Sequence, residues 1–118
     1  MNKILIVDDE IEILSVVKLI LVNSHFDVET TSHWQDIYSS IDKYKPDLIL
    51  LDVSLGGADG REICIKLKND EATGNIPIIL FSANYNLINN LKGCNANAVI
   101  SKPFDAENLI AIINQNLN

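Results

Sequence analysis

Two stretches decide the fold: Ile4-Leu5-Ile6-Val7-Asp8-Asp9-Glu10 and Pro46-Asp47-Leu48-Ile49-Leu50-Leu51-Asp52. In each, a run of consecutive apolar residues stops abruptly at aspartate. A strand with one face in water alternates apolar and polar residues. A continuously apolar run marks a strand covered on both faces, and so a parallel sheet between layers of helix. Pro46 and Pro77 stand just before strands, where breakers belong.

Working outward, further β-rich runs are Phe26–Thr31, Ile78–Phe81 and Ala98–Ser101. The segments between them carry helical spacing. Ile11, Leu14, Val17 and Leu21 follow it, with Lys18 the polar exception; Trp34, Ile37, Tyr38 and Ile41 repeat it. So do Ile63 with Leu67, and Leu109, Ile112, Ile113 and Leu117. Asp59 is placed to cap a helix starting at Gly60, and Asp105 to cap the last one. Strand and helix alternate through the chain, which predicts an α/β fold: a doubly wound, five-stranded parallel sheet, (βα)5. With strand order 2-1-3-4-5, strands 1 and 3 flank the switch point, and ligands bind at the carboxyl ends there. One domain is expected over 1–118, with no repeat, linker or output domain in the chain.

Composition narrows the function. The chain has 118 residues and a formal charge of −7, with an isoelectric point near 4.6. Direct nucleic-acid binding needs a basic surface, so it is excluded for this domain. No stretch is long and apolar enough to span a bilayer, and Met1-Asn2-Lys3 does not look like a cleavable signal. Cys64 and Cys94 form no metal or redox motif and read as small buried hydrophobes, which suits a reducing cytoplasm.

The chemistry lies just past the strands. Asp8, Asp9 and Glu10 follow strand 1, Asp52 follows strand 3, Ser82 strand 4, and Lys102-Pro103-Phe104 strand 5. Carboxylates ~4 Å apart repel by ~4 kcal/mol at an effective dielectric of 20. Such a cluster needs protons or a cation, and hard oxygen ligands suit Mg2+ (or Mn2+). Lys102 can hold a phosphate as a point charge. Aspartate is a known nucleophile in phosphoryl transfer, and Asp52, central on the edge, is the best acceptor.

With these residues in view, the chain resembles response-regulator receiver domains of two-component signalling. Ile4–Glu10, Pro46–Asp52, Asp59-Gly60, Ser82-Ala83 and Lys102-Pro103-Phe104 match the family in order and spacing over the whole chain. The resemblance implies that Asp52 is the phosphoacceptor. Asp9 resembles the direct metal ligand, Asp8 the acid that holds the metal mostly through water, and Ser54 the residue whose backbone carbonyl completes the set. Ser82 resembles the switch hydroxyl, Ala83 the small neighbour that leaves room for phosphate, and Lys102 the lysine that pairs with it. A cis bond is expected before Pro103. Ser54 and Asn84 occupy positions that tune phosphate lifetime in the family. The implied partners are a sensor histidine kinase or histidine phosphotransfer protein, and a downstream output domain or protein. The chemistry is the domain's own phosphorylation and dephosphorylation, not turnover of an external substrate.

Four positions depart from the family. Val99 replaces the usual aromatic three residues before the lysine. Gly56 replaces proline, so Gly56-Gly57 should loosen its loop. Asn95 replaces glycine, a mild change because asparagine tolerates the left-handed conformation. The segment from Ser82 to Asn95 is short, so a helix starting near Tyr85 is expected to be short, with Gly93 fraying its end.

The alternative is a pseudo-receiver, a binding module independent of phosphorylation; the intact Asp8, Asp9, Asp52, Ser82 and Lys102 argue against it. A haloacid-dehalogenase-like phosphatase needs aspartate where Ser54 stands. A flavin protein needs a Ser/Thr/Gly phosphate loop where Asp8-Asp9-Glu10 would repel. His25 and His33 read as surface or capping residues, and Trp34 and Tyr38 as packing.

Overall fold

The computed structural model describes residues 1–83 and 92–117. Along the chain come β1 (Lys3–Val7), α1 (Ile11–Asn23), β2 (Asp27–Thr31), a 3-10 turn (Trp34–Asp36) and α2 (Ile37–Tyr44). They are followed by β3 (Leu48–Asp52), β4 (Ser54–Leu55), β5 (Ala58–Asp59), α3 (Gly60–Asn69), β6 (Ile78–Ser82), a second 3-10 turn (Lys92–Cys94), β7 (Ala98–Ser101) and α4 (Ala106–Asn116). The main sheet has five parallel strands in the order β2-β1-β3-β6-β7. Counting its strands alone, this is the order 2-1-3-4-5, in which strands 1 and 3 flank the switch point.

Every residue of β3 and β6 is buried, as a strand covered on both faces must be. Successive side chains alternate between the two faces. On one face Leu5, Val7, Ile49, Leu51, Ile78 and Leu80 pack with Ile37 and Ile41 of α2 and with Ile63, Cys64 and Leu67 of α3. On the other, Ile4, Ile6, Leu48, Leu50, Ile79 and Phe81 pack with Leu14, Val17 and Leu21 of α1 and with Leu109 and Ile113 of α4. Burying each such side chain is worth about 1.5–3 kcal/mol. Cys64 and Cys94 are buried free thiols.

Capping sets the ends of the helices. An Asp59 carboxylate oxygen accepts from the Arg61 backbone N–H at 2.9 Å, and Asp105 accepts from the Asn108 N–H at 2.7 Å. The Arg61 side chain also folds back on Asp59 and holds its carboxyl below the usual range. Asp59→Ala is expected to lower stability by about 1 kcal/mol, read as a shift in urea midpoint with an unchanged slope. Asn95 has φ +60, so the family's glycine position keeps its left-handed backbone.

Three features go beyond the sequence reading. The antiparallel β4–β5 hairpin has strands of two residues, too short for any periodicity to show. The first turn at Trp34 is 3-10, and the α-helix starts at Ile37. Asn84 and the helix expected from near Tyr85 lie outside the described residues, while Gly93 sits in the second 3-10 turn. No helix among the described residues is long and apolar enough to cross a membrane.

Candidate functional site

Strand register builds the site. Val7 lies opposite Leu51, Asp52 opposite Phe81, and Ser82 opposite Ser101. Parallel neighbours therefore end together, and Asp8, Asp52, Ser82 and Lys102 emerge at one edge. Asp8, Asp52 and Ser82 are buried. Lys102 Nζ donates to Asp8 Oδ2 at 3.1 Å and to Asp52 Oδ2 at 3.3 Å. The same ammonium stands 4.5 Å from the centre of the Phe81 ring, which Phe104 meets edge-on. A cation over an aromatic face is stabilised there. The Lys102 backbone N–H donates to the Ser82 carbonyl at 2.8 Å, and the Lys102–Pro103 peptide is cis, as expected.

The remaining groups sit around this pair. Asp8 Oδ1 accepts from the Glu10 N–H at 2.9 Å at the start of α1. Asp52 Oδ1 accepts from the Ser54 N–H at 3.3 Å. Asp9 Oδ2 accepts from the Gly56 N–H at 3.1 Å. Carboxylate oxygens of Asp8, Asp9, Glu10 and Asp52 lie within 4.8 Å of one another. Glu10 is thus a fourth acid of the cluster beside the three expected carboxylate ligands. Ala83 is exposed beside Lys102 and Pro103. Val99 is half-buried and packs into the core on the α2–α3 face.

The electrostatics are unbalanced. Asp52 is pushed up to about 7, first by burial and then by the charge of Asp8, even though Lys102 pulls it the other way. Among the described residues, Lys102 pairs with Asp8 and Asp52 out of the four clustered carboxylates, so the pocket holds more negative charge than this ammonium neutralises. An oxygen-only donor set in this state fits a divalent cation such as Mg2+ or Mn2+.

A family model described as the response regulator receiver domain matches residues 4–114. The chain belongs to the response-regulator receiver family. Among its relatives, this receiver is 38% identical over 110 residues to the phosphate regulon transcriptional regulatory protein PhoB of Pseudomonas aeruginosa, covering 92% of this chain and 48% of that protein. It is 35% identical over 115 residues to the response regulator ArlR of Staphylococcus aureus, covering 96% of this chain and 51% of the relative. The chain thus spans about half the length of the curated relatives it matches. Among solved structures, the BeF3-activated N-terminal receiver domain of Klebsiella pneumoniae RstA superposes with a TM-score of 0.87 at 27% identity over 99% of each chain. Receiver domains are signalling modules of two-component systems rather than enzymes acting on an external substrate.

Sequence reasoning missed Phe81 as the support under Lys102, because a core strand residue carries no sign of an ammonium above its ring. It also read Trp34 as packing alone. Trp34 does pack against the core, yet its indole N–H donates to the Gly56 carbonyl at 3.1 Å. The Gly56-Gly57 loop, expected to be loosened, is tied on both sides of Gly56, by Trp34 and by Asp9.

Proposed function

We propose that residues 1–118 act as one phosphoacceptor receiver in a phosphorelay. Asp52 takes a phosphoryl group from the phosphohistidine of a sensor histidine kinase or histidine phosphotransfer protein, in the cytoplasm. The observation that carries this reading is a buried Asp52 that shares the Lys102 ammonium with Asp8 at the carboxyl edge of the sheet.

An Asp52 carboxylate oxygen forms the new O–P bond while the P–N bond of the donor breaks, and the departing imidazole keeps the electron pair and takes up a proton. Lys102 holds the phosphoryl oxygens as a point charge. Ser82 supplies a hydroxyl to the same group, and Ala83 leaves space for it. Asp9, Asp8, Asp52 and the Ser54 carbonyl would hold Mg2+ or Mn2+. Bound there, the cation supplies neutralisation of the charge on the transferring group. Ser54 and Asn84 tune how long the aspartyl-phosphate survives, and hydrolysis resets the domain. The phosphoryl group shifts a two-state equilibrium that a downstream output domain or protein reads. Val99 leaves that shift without the usual rotating aromatic.

The donor has a ready surface. A groove of about 470 Å³ runs beside Lys102 and Ala83, lined by Ile13, Val16, Val17 and Phe104. Along α1, Ile11, Val16, Leu19 and Val22 are exposed. A helix side that exposes these apolar residues among Glu12, Ser15 and Lys18, beside a reactive edge, fits a partner's helical surface.

The test is transfer of labelled phosphate from a phosphohistidine donor. The expected product is an acyl phosphate that hydroxylamine releases and that chelation of divalent cations prevents from forming. A chain that stays unlabelled while the donor phosphorylates a second receiver would favour the pseudo-receiver reading instead.

A further inference from the structure

The loop after β3 carries an arrangement that the receiver reading leaves unused. Gly56 is gripped from two sides: its carbonyl accepts from Trp34 Nε1 at 3.1 Å, and its N–H donates to Asp9 Oδ2 at 3.1 Å. A proline at this position would have no N–H to give. A Cβ at Gly56 would stand 3.2 Å from Asp9 Oδ2, so a larger residue would shift the carboxylate by a few tenths of an ångström. The neighbouring Gly57 has φ +83, a left-handed turn, and a Cβ there would stand 3.8 Å from Trp34 Nε1. Two successive glycines lose more backbone freedom on ordering than other residues do. Trp34, half-buried and packed against the core, reaches this turn with its indole N–H.

We propose that Trp34 is a positioning residue for the acidic site: its indole N–H fixes Gly56, and the Gly56 N–H in turn fixes the Asp9 carboxylate in an orientation that takes a divalent cation. The proposal deepens the receiver reading and rests on it, since Asp9 is a ligand only if the site binds such an ion. Physically, the tie removes in advance the freedom that a two-glycine loop would otherwise lose when the ion binds.

Trp34→Phe keeps a ring in the core and deletes the donor. One neutral hydrogen bond is worth a factor of about two to ten in an equilibrium constant. Mn2+ binding, read from the free-ion electron paramagnetic resonance signal at a temperature well below melting, is therefore expected to weaken two- to tenfold in Trp34→Phe. A residue with only a packing role would lower the melting temperature and leave this affinity unmoved. The wild-type protein gives a second reading that needs no variant. Trp34 is the chain's single tryptophan, so its emission is expected to change as Mg2+ fills the site, with the midpoint found by competition against Mn2+. Circular dichroism checks that Trp34→Phe folds; should it not, the wild-type emission decides. Equal Mn2+ affinity in the two folded proteins, or emission indifferent to Mg2+ in a wild-type chain that binds Mn2+, overturns the role of Trp34 alone. A wild-type chain that binds no Mn2+ overturns the metal-site reading, and the role of Trp34 falls with it.

Discussion

Asp52→Asn is expected to melt roughly 4–8 °C above the wild type at pH 8 in metal-free buffer, while taking up no phosphoryl group at all. Burial and the Asp8 charge raise the Asp52 carboxyl from 3.8 to about 7. Between those two values the unfolded chain has released this proton and the folded chain still holds it. Wild-type stability therefore falls as pH rises through that window, and the full penalty is present above about 7. Asparagine removes the ionisable group and keeps a similar shape. Lys102 loses one of its two carboxylate partners in the exchange, so the net gain is set at about 1–2 kcal/mol rather than the roughly 4 kcal/mol that three pKa units would carry. Thermal melts from pH 4 to pH 8 check this: the two proteins should converge near pH 4 and separate by pH 8, and Mg2+ should narrow the gap. A constant difference across the range would mean that Asp52 is not strained by its neighbours.

The second large effect comes from a glycine. A Cβ on Gly60 would collide with the Asp52 carbonyl oxygen and lie 2.9 Å from the Val53 Cα. These are backbone atoms of the strand that presents Asp52, and the Gly60 N–H already donates to the Val53 carbonyl at 2.8 Å. Neither side can give way without moving Asp52. Gly60→Ala is expected to cost at least about 3 kcal/mol in a urea titration, at the upper end of overpacking. Gly93 provides the control, since a Cβ there meets nothing within 4 Å among the described residues. Gly93→Ala should fall within about 0.5 kcal/mol of the wild type or above it. Equal stability of the two alanine variants would show that the close approach at Gly60 is not real.

Much of this was legible in the residues, for definable reasons. β1 and β3 are apolar without a break because both faces are covered, so Ile4–Val7 and Leu48–Leu51 announce parallel strands. Each ends on an aspartate, and parallel neighbours in register finish at one edge, so Asp8, Asp52 and Lys102 could be brought together before any coordinates. The groups that hold the site were not legible in the same way. Phe81 supports Lys102 from inside a core strand and looks like any other buried aromatic. The link from Trp34 to Gly56 crosses 22 positions and that from Asp9 to Gly56 crosses 47. Hydrogen bonds to a backbone carbonyl or N–H leave no mark on residue type. Asp59-Gly60 was readable as a cap, but the closeness of Gly60 to Asp52 depends on how α3 returns against β3.

The most direct test of the account is an intact mass of the protein after incubation with a small-molecule phosphodonor, with and without Mg2+, beside Asp52→Asn. The account predicts a gain of one phosphoryl group in the wild type with Mg2+, none after chelation, and none in Asp52→Asn. A gain that survives in Asp52→Asn, or no gain in the wild type from either this donor or a phosphohistidine, would contradict it.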